Sequence, residues 1–376
     1  MAGIYIHIPF CRQACTYCNF HFSTSLAQKD DLLASLVKEI RLTDNFNSAA
    51  EPIETIYFGG GTPSLLTSTE LALIFETLNN KFNIGKAAEI TLEANPDDIN
   101  KTILKEWISI GINRLSLGVQ SFKEEELKWM NRAHNAGESL KSIDEIQQSG
   151  INNFSVDLIY GSPLLNNNEL EENLQIIFNK EVPHISCYAL TVEPKTALNK
   201  LIEQKKALPV NSEKQAEQFL LVMDAMKQYG YEHYEISNFA KPGMRSKHNS
   251  SYWQGKPYYG FGPSAHSFNG KNQRRWNIAN NALYIQSMRE NKIPFEEEIL
   301  TDDQRLNEYI MTSLRTIEGI NVKFVGLEFG VNAAEKLKKA VQKYIDSNKM
   351  GIQEENFVLT NEGKLFADGI AADLFF

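Results

Sequence analysis

The sequence predicts an α/β fold, in which repeated strand–helix units build a parallel sheet or barrel and a smaller domain follows. Three observations support this prediction. Short runs rich in β-branched residues alternate with amphipathic stretches through the first two-thirds of the 376-residue chain, which is typical of a parallel sheet. Glycines recur where helix patterns give way to strand patterns, and several predicted strands are polar on only one face.

Seven strands are predicted, with amphipathic stretches of helical period between most of them. The strands are Gly3–Ile8, Glu54–Phe58, Ala88–Ala94, Ile112–Val119, Ile151–Tyr160, His184–Thr191 and Tyr231–Ile236. The helices are Asp30–Leu42, Ser68–Asn80, Asn100–Ser109, Gly137–Gln148, Glu169–Asn179 and Asn211–Gln228. Gly111, Gly150 and Gly230 each follow a predicted helix, because glycine adopts the left-handed conformation of a helix end without a Cβ clash.

The polar faces of the predicted strands indicate what the barrel encloses. Glu89, Thr91 and Glu93 alternate with apolar residues in one strand, and Arg114 and Asp157 belong to similar polar faces in the next two. Alternate side chains of a strand point to opposite faces, so the apolar set can pack under helices while the polar set lines an interior. A closed barrel fills its interior with bulky aliphatic side chains. A wide or open barrel that holds a polar cofactor is therefore predicted.

The pattern changes beyond Asn238. Residues 238–277 are rich in Gly, Pro, His and aromatic residues, and we interpret them as structured loops. Residues 278–376 are predicted to be helical, with a short β element near Asn356–Leu359 and a winged-helix-like arrangement. We accordingly divide the chain into a barrel (1–237), a loop-rich connection (238–277) and a C-terminal α-rich domain (278–376).

Composition excludes several classes of protein. Hydrophobic residues make up 42% and charged residues 23%, which excludes a largely disordered chain. Lys and Arg number 38 against 47 Asp and Glu, a net charge of −9, which argues against nucleic acid as the main partner. No apolar run reaches the ~18 residues of a membrane span, and the first residues lack the pattern of a secretory signal. A cytoplasmic location is expected.

Three of the four cysteines, Cys11, Cys15 and Cys18, lie together directly after the first predicted strand. In a strand–helix barrel this position is the C-terminal mouth, where active sites lie. Three thiolates at this spacing can hold an iron–sulfur cube and leave one iron open to another ligand. A zinc site is the alternative, because His21 completes a tetrahedral Cys₃His set. The fourth cysteine, Cys187, is more simply explained as a small buried thiol.

Further polar and glycine residues are predicted at the same mouth. Gly59–Pro63 follows the second strand, where glycines allow a close approach of backbone to ligand. This run lacks the pattern of a dinucleotide or phosphate loop. Glu93, Gln120 and Asp157 stand at or near the ends of successive strands, and together they form a candidate constellation.

These motifs resemble a known superfamily. His7–Cys11, the three-cysteine spacing and Gly60–Thr62 resemble the radical S-adenosylmethionine (radical SAM) superfamily, and Arg114–Gln120 with Val156–Gly161 resemble its oxygen-independent coproporphyrinogen III oxidase family. The resemblance covers nearly the whole chain. It implies a partial (β/α)6 barrel with an additional C-terminal domain.

The resemblance also implies cofactors and the residues that hold them. A [4Fe-4S] cluster would lie on Cys11, Cys15 and Cys18, with S-adenosylmethionine (SAM) on the open iron. An electron donor would feed the cluster, and SAM would be cleaved to a 5′-deoxyadenosyl radical. The positions that match the SAM pocket are Tyr5, Tyr17, Gly60, Gly61, Thr62, Glu93, Gln120, Arg132, Asp157 and Thr191. Arg132 follows a helical stretch, so a surface location is its alternative.

Two departures indicate a branch within that family. The oxidases carry a further cysteine where this chain has Phe20, and a long arm before the cluster motif, where only ten residues precede Cys11. Both features resemble the HemW branch of heme chaperones, and His248–Trp253 matches its His-Asn-x-x-Tyr-Trp motif. That branch implies heme binding with His248 as a ligand, and heme transfer to acceptor proteins such as respiratory enzymes at the membrane. Oxidative decarboxylation of coproporphyrinogen III remains the alternative, so enzymatic activity is left open.

Overall fold

The computed structural model describes residues 2–44, 46 and 52–376. Fifteen strands lie in these residues: β1 Ala2–Ile8, β2 Ile53–Gly60, β3 Ile84–Ala94, β4 Arg114–Gln120, β5 Phe154–Tyr160, β6 His184–Ala189, β7 Glu232–Glu235, β8 Asn238–Ala240, β9 Tyr258–Phe261, β10 His266–Phe268, β11 Gln273–Asn277, β12 Phe295–Ile299, β13 Ile320–Asn321, β14 Met350–Gln353 and β15 Asn356–Leu359.

Fifteen α-helices lie in the same described part of the chain: α1 Lys29–Leu42, α2 Ser68–Lys81, α3 Lys101–Ile110, α4 Glu124–Trp129, α5 Ala136–Ser149, α6 Asn167–Asn179, α7 Ala197–Glu203, α8 Ser212–Gln228, α9 Lys247–Trp253, α10 Asn281–Arg289, α11 Asp302–Leu314, α12 Val322–Glu328, α13 Val331–Asp346, α14 Asn361–Lys364 and α15 Ala367–Asp373. Within the described residues, none of these helices is both long and apolar enough to cross a membrane.

Twelve strands form one sheet in the order β12-β11-β10-β9-β1-β2-β3-β4-β5-β6-β8-β7. Strands β1 to β6 are neighbours in sequence order and pair in parallel, and each is followed by at least one helix. The sheet does not close, since β9 lies beside β1 and β8 lies beside β6. The predicted partial (β/α)6 barrel with an open side is confirmed.

Two expectations about the sheet are wrong. The seventh predicted strand, Tyr231–Ile236, is the short antiparallel edge strand β7 rather than a barrel strand. Residues 238–277, expected to be loops, contain helix α9 and strands β8 to β11. These four strands have only three to five residues each, which is too short for alternation to be recognised in the sequence.

The helix ends follow from local sequence. Asn135 caps α5 and Glu138 bonds back to the cap, which completes a capping box. Gly111 and Gly150 end α3 and α5 in the left-handed conformation, with φ of 108° and 94°. The predicted glycine stops at these two positions are confirmed.

Two large hydrophobic cores and one small cluster lie in the described residues. The first large core lies between the sheet and its helices and includes the fully buried Ile4, Ile6 and Ile8 of β1. Tyr284 and Met288 of α10 also belong to this core, so the chain packs on the barrel well beyond residue 278.

The second core begins at Leu306 and is built from residues of α11 to α13, β13 to β15 and α15. In this unit β13 and β14 pair with β15 in a small antiparallel sheet. The order of α11, β13, α12, α13 and the β14–β15 hairpin gives the winged-helix-like arrangement expected from the sequence.

Candidate functional site

A cavity of about 470 Å³ opens at the end of the barrel where strands β1 to β6 terminate. It gathers twelve of the side chains or backbone positions expected to form the site. They are Cys11, Cys15, Tyr17, Cys18, Gly60, Gly61, Thr62, Glu93, Gln120, Arg132, Asp157 and Thr191. The ends of parallel strands thus bring together residues that are up to 180 positions apart in the sequence (from 11 to 191).

The cysteine loop is held by the glycine stretch after β2. The backbone N–H of Gly61 donates to the carbonyl of Ile8 at 2.9 Å, and that of Thr62 donates to the carbonyl of Phe10 at 2.7 Å. A Cβ on Gly61 would lie 2.6 Å from the Phe10 oxygen, closer than any real contact. Glycine is required here because the two backbones touch, and this contact fixes the loop at its first cysteine.

The three thiols are partly buried and form no disulfide. Burial raises the pKa of Cys11 to about 11, although a hydrogen bond involving Thr62 opposes the shift. Burial raises the pKa of Cys18 as well. The Nη1 atom of Arg132 donates to Sγ of Cys15 at 3.1 Å. Three thiols that face one cavity fit a thiolate-bound cluster, since a thiol gives up its proton when it binds a metal.

The zinc alternative is not supported by the placement of His21. Its Nε2 atom lies 2.7 Å from Oδ1 of Asn281, and His21 does not line the cavity. Among the described residues, no three His, Cys, Asp or Glu side chains are close enough to share one metal ion. The sequence spacing alone could not exclude His21, because it does not show which way the side chain turns.

Two carboxylic acids face each other inside the cavity. Glu93 accepts a hydrogen bond from the Tyr57 hydroxyl at 2.7 Å. Burial raises the pKa of Glu93 to about 7, and the charge of Asp157 adds to the shift. Burial raises the pKa of Asp157 to about 6, while hydrogen bonds from Ser186 and Ser116 oppose the shift. A cationic ligand would ionise both groups, so the cavity suits a molecule that carries positive charge.

Arg132 lies inside the cavity rather than on the surface. Its Nη2 atom donates to Oδ1 of Asn95 and to the carbonyl of Gly118, each at 2.7 Å. With the hydrogen bond to Cys15, both terminal nitrogens of the planar guanidinium are engaged. The Arg132 Nε atom is buried with no hydrogen-bond partner among the described residues. Arg132 therefore connects the cysteine loop to the ends of β3 and β4.

Gln120 and Thr191 lie at the cavity rim. Gln120 ends β4 with a φ of 68°, a left-handed conformation that is strained for a residue with a Cβ and is found often at functional sites. Thr191 is exposed and lies two residues beyond the end of β6. The predicted strand end at Thr191 is thus too long by two residues.

Tyr5, a predicted SAM-pocket residue, does not line the cavity, and neither does His248, the predicted heme ligand. The Tyr5 hydroxyl bonds to Nδ1 of His7 at 3.1 Å. His248 is buried against β2, with Nδ1 at 2.8 Å from the Thr55 hydroxyl and Nε2 at 2.9 Å from the Tyr252 hydroxyl. Both ring nitrogens are therefore engaged, and neither is available to a heme iron in this arrangement.

His248 instead closes the floor of the polar interior. Its ring stacks on Tyr57 with centroids 5.0 Å apart, and its backbone N–H donates to Oε1 of Glu89 at 3.1 Å. The buried Arg114 approaches the same carboxylate at 4.0 Å. The polar lumen predicted from strand alternation is confirmed by these residues.

Sequence reasoning missed several residues of the site. Tyr57 bonds to Glu93, and Asn95 bonds to Arg132 and Thr62. Tyr57 shares its strand face with Gly59, so alternation could have found it. Asn95 is the residue after β3 and carries no signal of its own. Cys187 is 1% exposed within the apolar core, so its interpretation as a buried thiol is confirmed.

Comparison with known proteins assigns the family. Residues 5–177 match the model of the Radical SAM superfamily, and residues 300–366 match that of the HemN C-terminal domain. A Bacillus subtilis protein named heme chaperone HemW is 31% identical over 373 residues, covering 98% of each chain. This chain belongs to the HemW family. The HemW relative from Synechocystis is 33% identical over 89% of this chain and 82% of its own.

The fold of this HemW-family chain also matches a solved structure. Coproporphyrinogen III oxidase (HemN) from Escherichia coli, a radical SAM enzyme, superposes with a TM-score of 0.85 over 100% of this chain and 90% of its own. The two sequences are 21% identical, so the likeness establishes the fold. Membership in the radical SAM superfamily gives this chain a [4Fe-4S] cluster and SAM as cofactors.

Proposed function

We propose that this protein is a heme chaperone that binds heme and passes it to acceptor proteins. The observation that carries the proposal is the end-to-end similarity to relatives named heme chaperone HemW, which reaches 98% of both chains. One feature of the site agrees with it. Phe20, where the oxidases have a further cysteine, is 67% exposed at the rim of the cavity.

The cavity residues fit the two cofactors of the superfamily. Cys11, Cys15 and Cys18 would hold the cluster through their thiolates, leaving one iron for SAM. The ammonium and sulfonium charges of SAM suit a cavity that contains Glu93 and Asp157. When bound, these cofactors supply the electron and the adenosyl radical of radical SAM chemistry.

The chain's own residues position the cofactors and hold protons. Arg132 donates a hydrogen bond to Sγ of Cys15 and so holds this side chain at the cavity. Glu93 and Asp157 have raised pKa values of about 7 and 6, so they release protons when a cation arrives. Tyr57 orients Glu93 through its hydroxyl. Gly60, Gln120 and Thr191 complete the wall on which the nucleoside part of SAM would lie.

The proposal also includes the protein partners and the cellular location. Respiratory heme proteins at the membrane are the proposed acceptors, and a one-electron carrier protein is the proposed donor to the cluster. The absence of clustered positive charge in a chain of net charge −9 argues against nucleic acid as a partner. The proposed location is the cytoplasm.

An anaerobic titration with hemin tests the function. The full chain with a reconstituted cluster is titrated while the Soret band is followed, and apomyoglobin is then added as a generic acceptor. We expect saturable binding of one heme per chain, followed by transfer to apomyoglobin. Hemin binding that does not saturate, or no transfer to apomyoglobin, would overturn the proposal.

The oxidase alternative is tested on the same preparation. Coproporphyrinogen III, SAM and a reductant are supplied anaerobically, and the loss of carboxyl groups is followed by mass spectrometry. We expect no decarboxylation. Turnover at many cycles per chain would identify an oxidase instead, whether or not heme also binds.

A further inference from the structure

A lysine-rich segment lies beside the loop that carries the three cysteines. Residues 195–206 contain four lysines and one acidic residue, a net charge of +3 in a chain whose net charge is −9. All four lysine side chains are exposed, and they are Lys195, Lys200, Lys205 and Lys206. We call residues 195–206, which include α7, the lysine segment.

The four lysine side chains have no partner in the part of the chain that the structure describes. None of them forms an ion pair, and none donates a hydrogen bond to a described residue. On α13, by contrast, the exposed Lys338 pairs with Glu335 at 2.8 Å. The one acidic residue of the lysine segment, Glu203, accepts a hydrogen bond from Nδ2 of Asn199 at 2.9 Å. The positive charges of the segment are therefore free to attract an anionic partner.

Contacts of α7 place the lysine segment next to the cluster cavity, which is the cavity where the three cysteines meet. The backbone N–H of Leu198 donates to the carbonyl of Thr16, within the cysteine loop, at 2.7 Å. Leu198 also belongs to a small apolar cluster against which Tyr17 of the same loop packs. Glu193, two residues before the segment, lines the cavity. A protein bound on the lysine segment would therefore sit beside the cysteine loop.

An exposed apolar side chain follows the lysine segment. Leu208 is exposed two residues after the last lysine, although Ala207 and Val210 on either side of it pack on the small apolar cluster. Protein interfaces commonly place apolar contacts within a polar rim. Complexes of electron-carrier proteins are small and short-lived, with less than about 1,200 Å² of buried surface, so a surface of this extent is large enough for one.

We propose that the lysine segment is the docking surface for an acidic one-electron carrier protein that reduces the cluster. This inference rests on the proposed function, which includes such a donor. The position beside the cysteine loop favours an electron carrier over other anionic partners, because an electron passes only between redox centres that come close together. In the docked complex the reduced carrier loses one electron and the oxidised cluster gains it, and no covalent bond forms or breaks. Opposite charges on the two surfaces speed their encounter.

A binding experiment tests the surface with flavodoxin, a small acidic protein that carries FMN, as the probe. The full chain without its cluster is titrated with oxidised flavodoxin in a calorimeter at low salt. Lys205→Glu/Lys206→Glu is expected to weaken binding about tenfold or more, because two attractive charges become repulsive.

Lys86→Glu/Lys227→Glu is the matched control, since it makes the same change of charge at two other exposed positions. Lys86 lies near the start of β3 and Lys227 near the end of α8, at the opposite end of the barrel from the cluster cavity. This variant should bind flavodoxin as the native chain does. Circular dichroism and thermal melting check that both variants fold.

Two further measurements do not depend on the folding of the glutamate variants. A higher salt concentration should weaken the binding of flavodoxin to the native chain, because salt screens the attraction between exposed charges. Lys205→Arg/Lys206→Arg keeps both positive charges and should bind as the native chain does.

The rate of cluster reduction distinguishes docking from a change in the cluster itself. With the cluster reconstituted, reduced flavodoxin below saturation should reduce Lys205→Glu/Lys206→Glu about tenfold more slowly than the native chain. Photoreduced 5-deazariboflavin, a small uncharged reductant that needs no docking surface, should reduce both at the same rate. Slower reduction by this small reductant as well would show that the substitutions disturb the cluster, and would overturn the inference.

The outcomes separate this inference from the proposed function. Lys205→Glu/Lys206→Glu should bind hemin as the native chain does, so a failed hemin titration overturns the function while the docking surface stands. If native flavodoxin binding is absent or insensitive to salt, or if the variant binds flavodoxin equally well, the inference is wrong while the function stands. If the variant instead loses binding only to phosphatidylglycerol vesicles, the segment is a membrane contact and the inference is wrong. Loss of flavodoxin binding in this variant, with the control unchanged, supports the docking surface.

Discussion

Glu93 and Asp157 give the cluster cavity most of its electrostatic character. Burial raises both pKa values, to about 7 and about 6, and the charge of Asp157 adds to the shift of Glu93. Their hydrogen bonds from Tyr57, Ser116 and Ser186 oppose the shift but do not cancel it. In the cavity without its ligands, ionisation of these two carboxylic acids therefore lowers the free energy of unfolding.

Glu93→Gln should stabilise the cofactor-free chain, and the gain should depend on pH. The folded-state pKa of Glu93 is about 7 and the unfolded value is 4.5. Between these values the folded chain binds more protons than the unfolded chain, so its stability falls as the pH rises. The substitution removes this loss, which amounts to about 3 kcal/mol at pH 8. Urea unfolding of the native chain and the variant at pH 4.5, 6 and 8 measures it.

The control for this substitution is Glu171→Gln, on an exposed position of α6. Its effect on the free energy of unfolding should be small and should not grow from pH 4.5 to pH 8. An equal gain from Glu93→Gln at pH 4.5 and pH 8 would contradict the proposed cause, because a hydrogen-bonding or packing effect would not follow the titration.

At the scale of elements, backbone contacts rather than side chains set the position of the cysteine loop. The glycine stretch after β2 donates two backbone hydrogen bonds, from Gly61 to the carbonyl of Ile8 at 2.9 Å and from Thr62 to the carbonyl of Phe10 at 2.7 Å. The loop returns to β1 through a bridge between Phe10 and Ser23. The site thus depends on two loops at neighbouring strand ends, each positioned by the parallel pairing of β1 with β2.

Gly61→Ala should impair cluster binding while leaving the fold intact. The new Cβ would meet the carbonyl oxygens of Phe10 and Ile8 at 2.6 and 2.8 Å, so the cysteine loop has to move. A displaced cysteine loop is expected to lower the affinity for the cluster on the order of tenfold, because the thiols no longer lie in the right positions. Iron and sulfide are measured per chain after reconstitution at limiting iron.

Gly351→Ala is the matched control for this change. Gly351 lies in β14, and an added Cβ there meets no atom within 4 Å. It should bind as much iron and sulfide as the native chain. Normal cluster loading in Gly61→Ala would show that the loop can shift without displacing its thiols.

At the scale of the whole molecule, two cores are joined by a short set of contacts. The backbone N–H of Ile236 donates to the carbonyl of Arg315 at 3.0 Å, and that of Ile317 donates to the carbonyl of Tyr234 at 3.1 Å. Arg315 also pairs with the buried Glu235 at 3.1 Å. These contacts join the barrel to the C-terminal unit, so they help to fix how the two pack together.

Leu337→Ala should destabilise the C-terminal unit selectively. Leu337 is fully buried in the second core, and a cavity of that size costs about 2–5 kcal/mol. Hydrogen exchange should accelerate in residues 306–374 while the amides of β1 to β6 keep their protection. Leu327→Ala, at an 89% exposed position, is the control. Equal acceleration throughout the barrel would show that the two cores unfold as one unit.

The sequence was sufficient to predict the barrel and most of the residues that line the cluster cavity. Long β-branched runs and helical periods define β1 to β6, because each element is long enough to show its period. Parallel strands end at the same edge of the sheet, so the sequence is enough to predict that residues after successive strands lie close together. The hydroxyl of Tyr5 turns to His7, and the alternation of a strand cannot predict this local choice of side-chain direction.

The sequence by itself determined the fold class, the three cysteines and the resemblance that gave the family. The tertiary structure alone decided where the side chains of His248 and Arg132 lie, the short strands β8 to β11, and the cavity of about 750 Å³ between α9 and the C-terminal unit. The physical reason is the range of the interactions. Periodicity and motifs record contacts between near neighbours, whereas the position of α9 between β2 and α11 depends on packing between segments far apart in the chain. The side of α9 that packs on β2 and the side that packs on α11 are therefore fixed only when both cores have formed.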